Sequence, residues 1–401
     1  MKIGYIYNAY PEKRCIIDKT NESYIYYNLK RNIKYLMKSL LQHLRIIEYW
    51  DKQAVVSLPS KKCDVWHTFN QIPKSKSPYI ITFETAVPRN SSTVEREWEF
   101  LADQKIYATK QNRKQIKMLL SDKCISLLPL SNSALRIQEE QLRHLGCDDQ
   151  EIDLIKKKMK VVYPPQKIMV DEKLENKYRD ISKCLQLVFV GNNFWRKGGD
   201  IIVDSIKALG IENRVQLTII SNFGRDDIFK VSETERADFL DYVENAAYIT
   251  SYCNIDNNQV MEIIQKSHVG FLPTMGDTFG YSVLEMQACG VPVVSTDIRA
   301  LSEINNNDAG WIIEVDKHPI SGEAFYHDKI TKEKLKRDIM QGVTKCLEEI
   351  IEMAGNDNQQ YFIDKSKCSV NRIKEYHDPD KYNECLVKEY EKCKEINNVS
   401  D

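Results

Sequence analysis

Phe271 to Glu303 reads FLPTMGDTFGYSVLEMQACGVPVVSTDIRALSE. The apolar run that leads into it, Val269 to Leu272, suits a buried strand. The loop from Pro273 to Gly280 contains Gly276 and Gly280. Tyr281 to Cys289 has helical spacing, with Val283, Met286 and Gln287 on one face. Gly290 stops that helix and Pro292 cannot continue it. Val291 to Ser295 then reads as a second buried strand. The order strand, loop, helix, strand puts the loop at the carboxyl end of a parallel strand, where open α/β sheets bind ligands. A helix start offers unpaired N–H groups and partial positive charge, so the point before Tyr281 suits a phosphate. Glycine at 280 lets a ligand come close to the backbone. Asp277 in the loop and Glu285 one turn into the helix flank that point. Like charge keeps both off the phosphate, and both can accept hydrogen bonds from hydroxyls on either side of it. A phosphate between two polyols describes a nucleotide sugar.

A second stretch carries the complementary charge. Leu185 to Val190 reads as a strand, GNNFWRKGGD follows from Gly191, and Ile201 to Leu209 reads as a helix. Gly191, Gly198 and Gly199 frame a loop that places Arg196 and Lys197 at the mouth of the helix. Cations there stabilise a diphosphate, and above all the charge that develops on it as a sugar–oxygen bond breaks. Alone, this loop fits a basic turn capping a helix equally well. Its specificity comes from the 271–303 stretch downstream.

At these positions the chain resembles the retaining glycosyltransferases of the glycogen-synthase and mannosyltransferase type (family 4-like, glycosyl transferases group 1). Asp277 and Glu285 are separated by seven residues, as are the two acids of that family's signature. Pro273-Thr274, Phe279-Gly280, Leu284-Glu285, the run Gly290 to Val294, and Ser302-Glu303-Ile304 agree as well. The resemblance covers most of residues 160–395 and is looser before that. It implies an α/β GT-B fold, two Rossmann-like domains facing each other across a cleft. It also implies retention of configuration with no metal and no cofactor. The donor would be a nucleotide sugar, UDP favoured and GDP open, and the acceptor a glycan or lipid-linked glycan of cell-surface polysaccharide. Carried over, Glu285 binds the ribose hydroxyls. Arg196, Lys197 and the backbone at Gly280-Tyr281 hold the diphosphate, and Asp277 fixes the sugar. Gly191, Asn192, Thr278, Phe279 and Ser282 line the donor site, while Glu84 and His67 serve the acceptor side.

Four departures stand out. Asp277 is one methylene shorter than the family's usual Glu. Asn192 stands where an arginine is common, and Glu84 where a histidine near the reacting sugar carbon is common. No Gly-Gly pair follows the first strand, so Asn8 to Asp18 would have to meet the donor with side chains. These departures leave open a non-catalytic GT-B subunit or chaperone of an active transferase. A GT-B epimerase or phosphorylase is a third reading. His67 reads rather as a core histidine bonded to backbone, while Glu84 fits a helix-start or loop acid equally well.

The rest of the chain sets the frame. At 401 residues it is long enough for two domains, and 42% hydrophobic with 29% charged residues suits a folded chain. It has no apolar run near the length of a membrane span. The start, MKIGYIYNAY, lacks a secretory pattern, which points to the cytoplasm. Eleven cysteines without a C-x-x-C pair suggest reduced thiols used for packing. Net charge is −1, yet residues 1–170 hold roughly +11 and the remainder roughly −12. The basic first part suits an acidic acceptor, a polyphosphate lipid or peripheral contact at the inner face of a membrane, and equally a simple attraction between the two halves. Nothing in the pattern suggests nucleic acid. Asn21 to His43 reads as a long basic amphipathic helix. Strands are expected at Lys2–Tyr7, Asp64–Phe69, Tyr79–Phe83, Ile125–Leu130, Met159–Tyr163, Val215–Ile220 and Ala247–Asn254. Helices are expected at Ala134–Leu145, Asn258–Lys266, Leu335–Met353 and Lys381–Lys394, with a charged surface excursion over Gly224–Ala237 and a turn after Asn305. Asp378-Pro379-Asp380 reads as a helix cap rather than a metal motif. The expected domains are 1–168 and 184–375, joined by a linker over 169–183, with a C-terminal helix over 376–401 that crosses back to the first domain.

Overall fold

Two parallel sheets grow from the apolar runs. The structure, a computed structural model, describes residues 1–6, 9–20, 24–28, 54–58, 63–89, 108–170, 174–224 and 229–399. The chain divides into one unit of Met1–Pro165 with His377–Asp401 and a second of Gln166–Tyr376.

The first unit contains β1 (Lys2–Tyr5), β2 (Ile25–Asn28), β3 (Val55–Ser57), β4 (Val65–Phe69), β5 (Ile72–Lys74), β6 (Tyr79–Phe83) and β7 (Cys124–Pro129). Five of them form a parallel sheet in the order β2-β1-β4-β6-β7, while β3 and β5 pair separately. The long helix expected from Asn21 is corrected here: Ile25–Asn28 pairs with β1 as an edge strand, since Ile25, Tyr26 and Tyr27 suit a strand as well as a helix. The rest of that helix lies outside the described residues. The strand expected over Met159–Tyr163 is also corrected. It makes one bridge, Leu127 to Met159, and the Val162 N–H still reaches the Pro129 carbonyl, but Pro129 of β7 has no N–H to donate back and the ladder stops.

The helix Pro379–Val399 belongs to this unit. Asp378 caps it, Oδ1 accepting from the N–H groups of Asp380 and Lys381. Its inner face drives Tyr382, Leu386, Tyr390 and Cys393 into the core beside Ile3, Val65, Ile80 and Leu128.

The second unit contains β8 (Leu185–Val190), β9 (Val215–Ile220), β10 (Ile249–Tyr252), β11 (Val269–Leu272), β12 (Val293–Thr296) and β13 (Gly310–Ile313). All pair in parallel, in the order β10-β9-β8-β11-β12-β13. From β8 the chain first winds outward through β9 and β10, then returns to β11 and winds the other way. This is the doubly wound Rossmann order, and the reversal lies between β8 and β11. Right-handed crossovers put the helices of the two halves on opposite faces. Gly199–Leu209 packs beside Lys329–Gly355 on one face, and Tyr281–Ala288 beside Gln359–Tyr376 on the other.

Several expected bounds shift for local reasons. β12 starts at Val293, two residues late, because Pro292 breaks the ladder. β13 occupies the end of the expected turn. It needs Gly310, where a Cβ would lie 2.2 Å from the Val293 carbonyl oxygen. The charged stretch expected at the surface is exposed or half-buried from Lys230 to Ala237 and also holds the start of a helix, Glu233–Asn245, opened by a capping box of Ser232 and Glu235. The helix Tyr281–Ala288 is buried on all sides from Ser282 onward. Its fully buried polar residue, Gln287, donates to the Ile304 carbonyl and to Asn305 Oδ1.

Two core histidines make this fold sensitive to acid. His67 is fully buried in β4. Its Nδ1 lies 2.8 Å from the Tyr390 hydroxyl and its Nε2 2.8 Å from Thr82 Oγ1. Burial lowers its pKa to about 3. His268, at the start of β11, accepts the Gln186 N–H at Nδ1. Burial, reinforced by Lys177, lowers it to about 4. In the unfolded chain both rings take a proton near pH 6.5. The folded state therefore keeps its full stability above that pH and loses it as pH falls toward 4, by about 1 kcal/mol per pH unit for each histidine. Melting at pH 7.5 and 5.0 should show a lower midpoint at 5.0. Equal midpoints would mean that protons reach the rings without unfolding.

Candidate functional site

The two loops singled out in the sequence leave the sheet side by side, from β8 and β11, at the point where the winding reverses. The first is pinned by aromatic packing. Phe194 is fully buried against Phe189, Phe223 and Phe239. Gly199 makes room for it, since a Cβ there would lie 2.1 Å from the Phe194 ring. Asn193 and Gly198 take left-handed backbone angles, φ 56° and 74°. With Phe194 and Trp195 turned inward, Arg196 and Lys197 come out at the mouth of the helix Gly199–Leu209. The stem of Lys197 crosses Gly191, where a Cβ would lie 2.6 Å from its Cδ.

The second loop is shaped by its own hydroxyl and carboxylate. The Gly276 N–H donates to Thr274 Oγ1, and Thr296 Oγ1 donates to the Thr274 carbonyl at 2.7 Å. Asp277 Oδ1 accepts from the Phe279 N–H at 3.3 Å. Gly280, at φ 90°, opens the helix Tyr281–Ala288. A side chain there would strike Leu301 as well as strain the backbone.

The loops are then joined to each other. The Met275 N–H donates to the Arg196 carbonyl at 2.8 Å, and Arg196 Nη1 donates to the Gly276 carbonyl at 2.7 Å. Gly198 lies so close that a Cβ would sit 2.3 Å from the Pro273 carbonyl oxygen. Across this seam Lys197 Nζ faces Asp277 Oδ2 at 3.3 Å, with both side chains mostly buried. Burial alone would push the Asp277 carboxyl up, but Lys197 and Arg196 together hold it below its ordinary value. The site is thus an ionised acid between two cations, beside a helix N-terminus.

The other expected residues fall into three groups. Glu285 and Ser282 lie on the buried helix Tyr281–Ala288, 8% exposed each, and Ser282 Oγ has no hydrogen-bond partner among the described residues. Thr278 is half-buried, and the rings of Phe279 and Tyr281 meet at 5.1 Å. Asn192 is exposed at the start of the first loop. Glu84 and His67 belong to the other unit. His67 is sealed inside its sheet, both ring nitrogens occupied. Glu84 follows β6 at the carboxyl edge, half-buried, its backbone N–H bonded to Asn70 Oδ1.

Two features escaped the sequence reading. Glu12 follows β1 at the same edge as Glu84 and is 6% exposed, with Oε2 unpartnered among the described residues. Burial raises its pKa, and Glu84 adds to the effect. The other is a brace behind Gly276, where Arg299 and Tyr326 both donate to the Glu323 carboxylate. Glu323 Oε1 lies 3.6 Å from where a Cβ on Gly276 would be. Arg299 and Glu323 are 24 residues apart, and nothing local in the sequence links them.

Residues 185–323 match the family described as "Glycosyl transferases group 1". An "Uncharacterized 41.2 kDa protein in cps region" of Klebsiella pneumoniae is 27% identical over 194 residues, 43% of this chain and 48% of that protein. The chain spans about half the length of the curated relatives it matches. A glycosyltransferase structure from Rickettsia africae covers 98% of both chains with a TM-score of 0.59 and 13% identity. Anabaena HepE in complex with UDP and glucose covers 97% of this chain and 98% of its own, with a TM-score of 0.55 and 10% identity. The fold is therefore that of the GT-B glycosyltransferases, with a group 1 glycosyltransferase match centred on the two joined loops.

Proposed function

We propose that this chain transfers a sugar from a nucleoside diphosphate sugar to a hydroxyl of a glycan or lipid-linked acceptor, with retention of configuration and without a metal. The observation that carries this reading is the Lys197–Asp277 pair, held across the seam between the two loops at the sheet reversal. A diphosphate arriving at the N-terminus of Tyr281–Ala288 carries more charge than Asp277 and draws Lys197 toward itself. Asp277 is then free to accept from the sugar hydroxyls, while Glu285 accepts from the ribose. Arg196 and Lys197 supply the positive charge that a divalent cation would otherwise bring. As the bond from the anomeric carbon to the phosphate oxygen breaks, they neutralise the leaving group. The acceptor oxygen bonds to the same face of that carbon, and its proton passes to the departing phosphate. Glu84, at the carboxyl edge of the first sheet, is assigned to the acceptor hydroxyl. The UDP bound by HepE favours a uridine donor. The basic surplus of the first 170 residues suits an anionic or lipid-linked acceptor met at a membrane surface. No helix among the described residues is long and apolar enough to cross a membrane.

Thermal shift with UDP, GDP and ADP, followed by assay of nucleotide released from the matching sugar donors, tests this. At saturation near a hundred times Kd the right diphosphate should stabilise the chain by about 2.7 kcal/mol. Glu285→Ala should lose that shift, and Lys197→Ala should lower turnover by about 10²- to 10³-fold with the fold intact. Absence of a shift with every diphosphate would overturn the donor site and favour a non-catalytic partner subunit.

Gly198→Ala tests the seam itself. The added methyl meets a backbone oxygen and occupies a left-handed conformation, so the unfolding free energy should fall by about 1–3 kcal/mol. Diphosphate affinity should fall with it, because the cations are pushed away from Asp277. Unchanged affinity would show that the loops bind donor independently.

A further inference from the structure

The seam has a second side. Behind it, on the face that carries Gly199–Leu209 and Lys329–Gly355, lies a cavity of about 560 Å³. The N-terminal turns of both helices border it: Asp200 lies in the first turn of one, and Asp328 caps the other. Lys230, Lys329, Lys332 and Lys336 line it against Asp200, Asp328 and Glu333, a surplus of one positive charge, and Lys329 lies 3.7 Å from Glu333; this surplus and the two helix ends together favour an anion. Lys336 is committed to Asp200 at 2.7 Å, and Lys332 lies 5.6 Å from the centre of the Phe229 ring.

The remaining lining is not what a bare anion contact would need. Trp195 and Phe229 give it aromatic surface, and Met275 adds a thioether. Trp195 is 4% exposed, and its indole N–H has no acceptor among the described residues. Asp200 is 5% exposed, and its Oδ1 has no donor among the described residues. A buried donor and a buried acceptor left unmade are each costly. A ligand carrying hydroxyls as well as negative charge has the groups to satisfy both. The apolar wall suits the carbon skeleton of a sugar.

The cavity also touches the donor loops from behind. Trp195 directly precedes Arg196 and Lys197. Met275 is the residue whose N–H joins the second loop to Arg196. A ligand resting on Trp195 and Met275 therefore presses on the two residues that set the seam.

We propose that this cavity is a second site, separate from the donor site, that binds a small phosphate ester of a sugar and stiffens the seam between the donor loops. It rests on the donor-site reading only for its effect on donor affinity; the binding itself does not depend on that reading. By linkage, a ligand that favours the joined arrangement tightens the donor, and the donor tightens the ligand by the same factor.

The test uses the full chain and calorimetric titration with a hexose 1-phosphate, inorganic phosphate and the free hexose. The hexose phosphate should bind, at least tenfold more tightly than inorganic phosphate, and the free hexose should not. Lys332→Glu should abolish this binding and leave diphosphate binding in place. Lys197→Ala should do the reverse, weakening the diphosphate while sparing the hexose phosphate. Lys230→Glu provides a second variant should Lys332→Glu disturb the fold. The proposal is overturned if no phosphate binds, or if inorganic phosphate binds as tightly as the ester. It is equally overturned if Lys197→Ala, and not Lys332→Glu, removes the hexose phosphate, for the ligand would then be in the donor site. If diphosphates fail to bind while the hexose phosphate still depends on Lys332, the donor reading falls and the second site stands.

Discussion

The close approach of two backbones at the sheet reversal is the constraint on which the site depends. Gly198 and the Pro273 carbonyl are closer than any side chain would allow. That contact lets Met275 donate to the Arg196 carbonyl and lets the Arg196 guanidinium return to Gly276. Each of these bonds is worth only about 1 kcal/mol net. Their effect is geometric: they bring a lysine from one half of the fold to an aspartate from the other. The aromatic cluster around Phe194 and the Glu323 brace behind Gly276 hold the seam from its two sides.

Electrostatics then decides what the seam can hold. A carboxylate as enclosed as Asp277 would ordinarily resist ionisation. Two neighbouring cations reverse that, so the pocket presents separated charges rather than a neutral acid. Asp200, on the other side of the loops, shows the opposite balance. Burial pushes its carboxyl up against the pull of Lys336. The two acids differ because Asp277 faces Lys197 and Arg196 together, whereas Lys336 is the one cation bonded to Asp200 among the described residues. Enclosed acids a few residues from the same loop thus hold their protons differently.

Much of the second unit was legible in the sequence because its signals are local. β8, β9 and β11 follow from continuous apolar runs, and the loops from glycines that punctuate them. Both charged motifs were found because their residues are adjacent in the chain. What escaped depends on residues far apart. β13 hides behind Asn-rich turn chemistry and pairs with β12 because Gly310, without a side chain, leaves room for the Val293 backbone. Glu323 means nothing until Arg299 and Tyr326 converge on it. His67 shows the converse. A histidine near a strand end suggested chemistry, but the Tyr390 hydroxyl arrives from 323 residues away and completes a closed core contact. In the first unit, Ile25–Asn28 reads as helix in a window of mixed apolar and basic residues and becomes a strand because β1 offers it an edge.

The least expected letter in the signature, aspartate for glutamate at 277, acquires a reason from the seam. Lys197 reaches Asp277 Oδ2 at 3.3 Å with its stem already laid across Gly191. One more methylene would carry a carboxylate about 1.5 Å further. It would have to fold back or push Lys197 off the glycine. Separating the loops to accommodate it would break the bonds that join them. The short acid and the tight seam therefore belong together. With Asp277 already held by the Phe279 N–H, the sugar side of the pocket is set by the backbone more than by side-chain reach. The substitution that looked like a loss of reach fits the distance at which the two loops meet here.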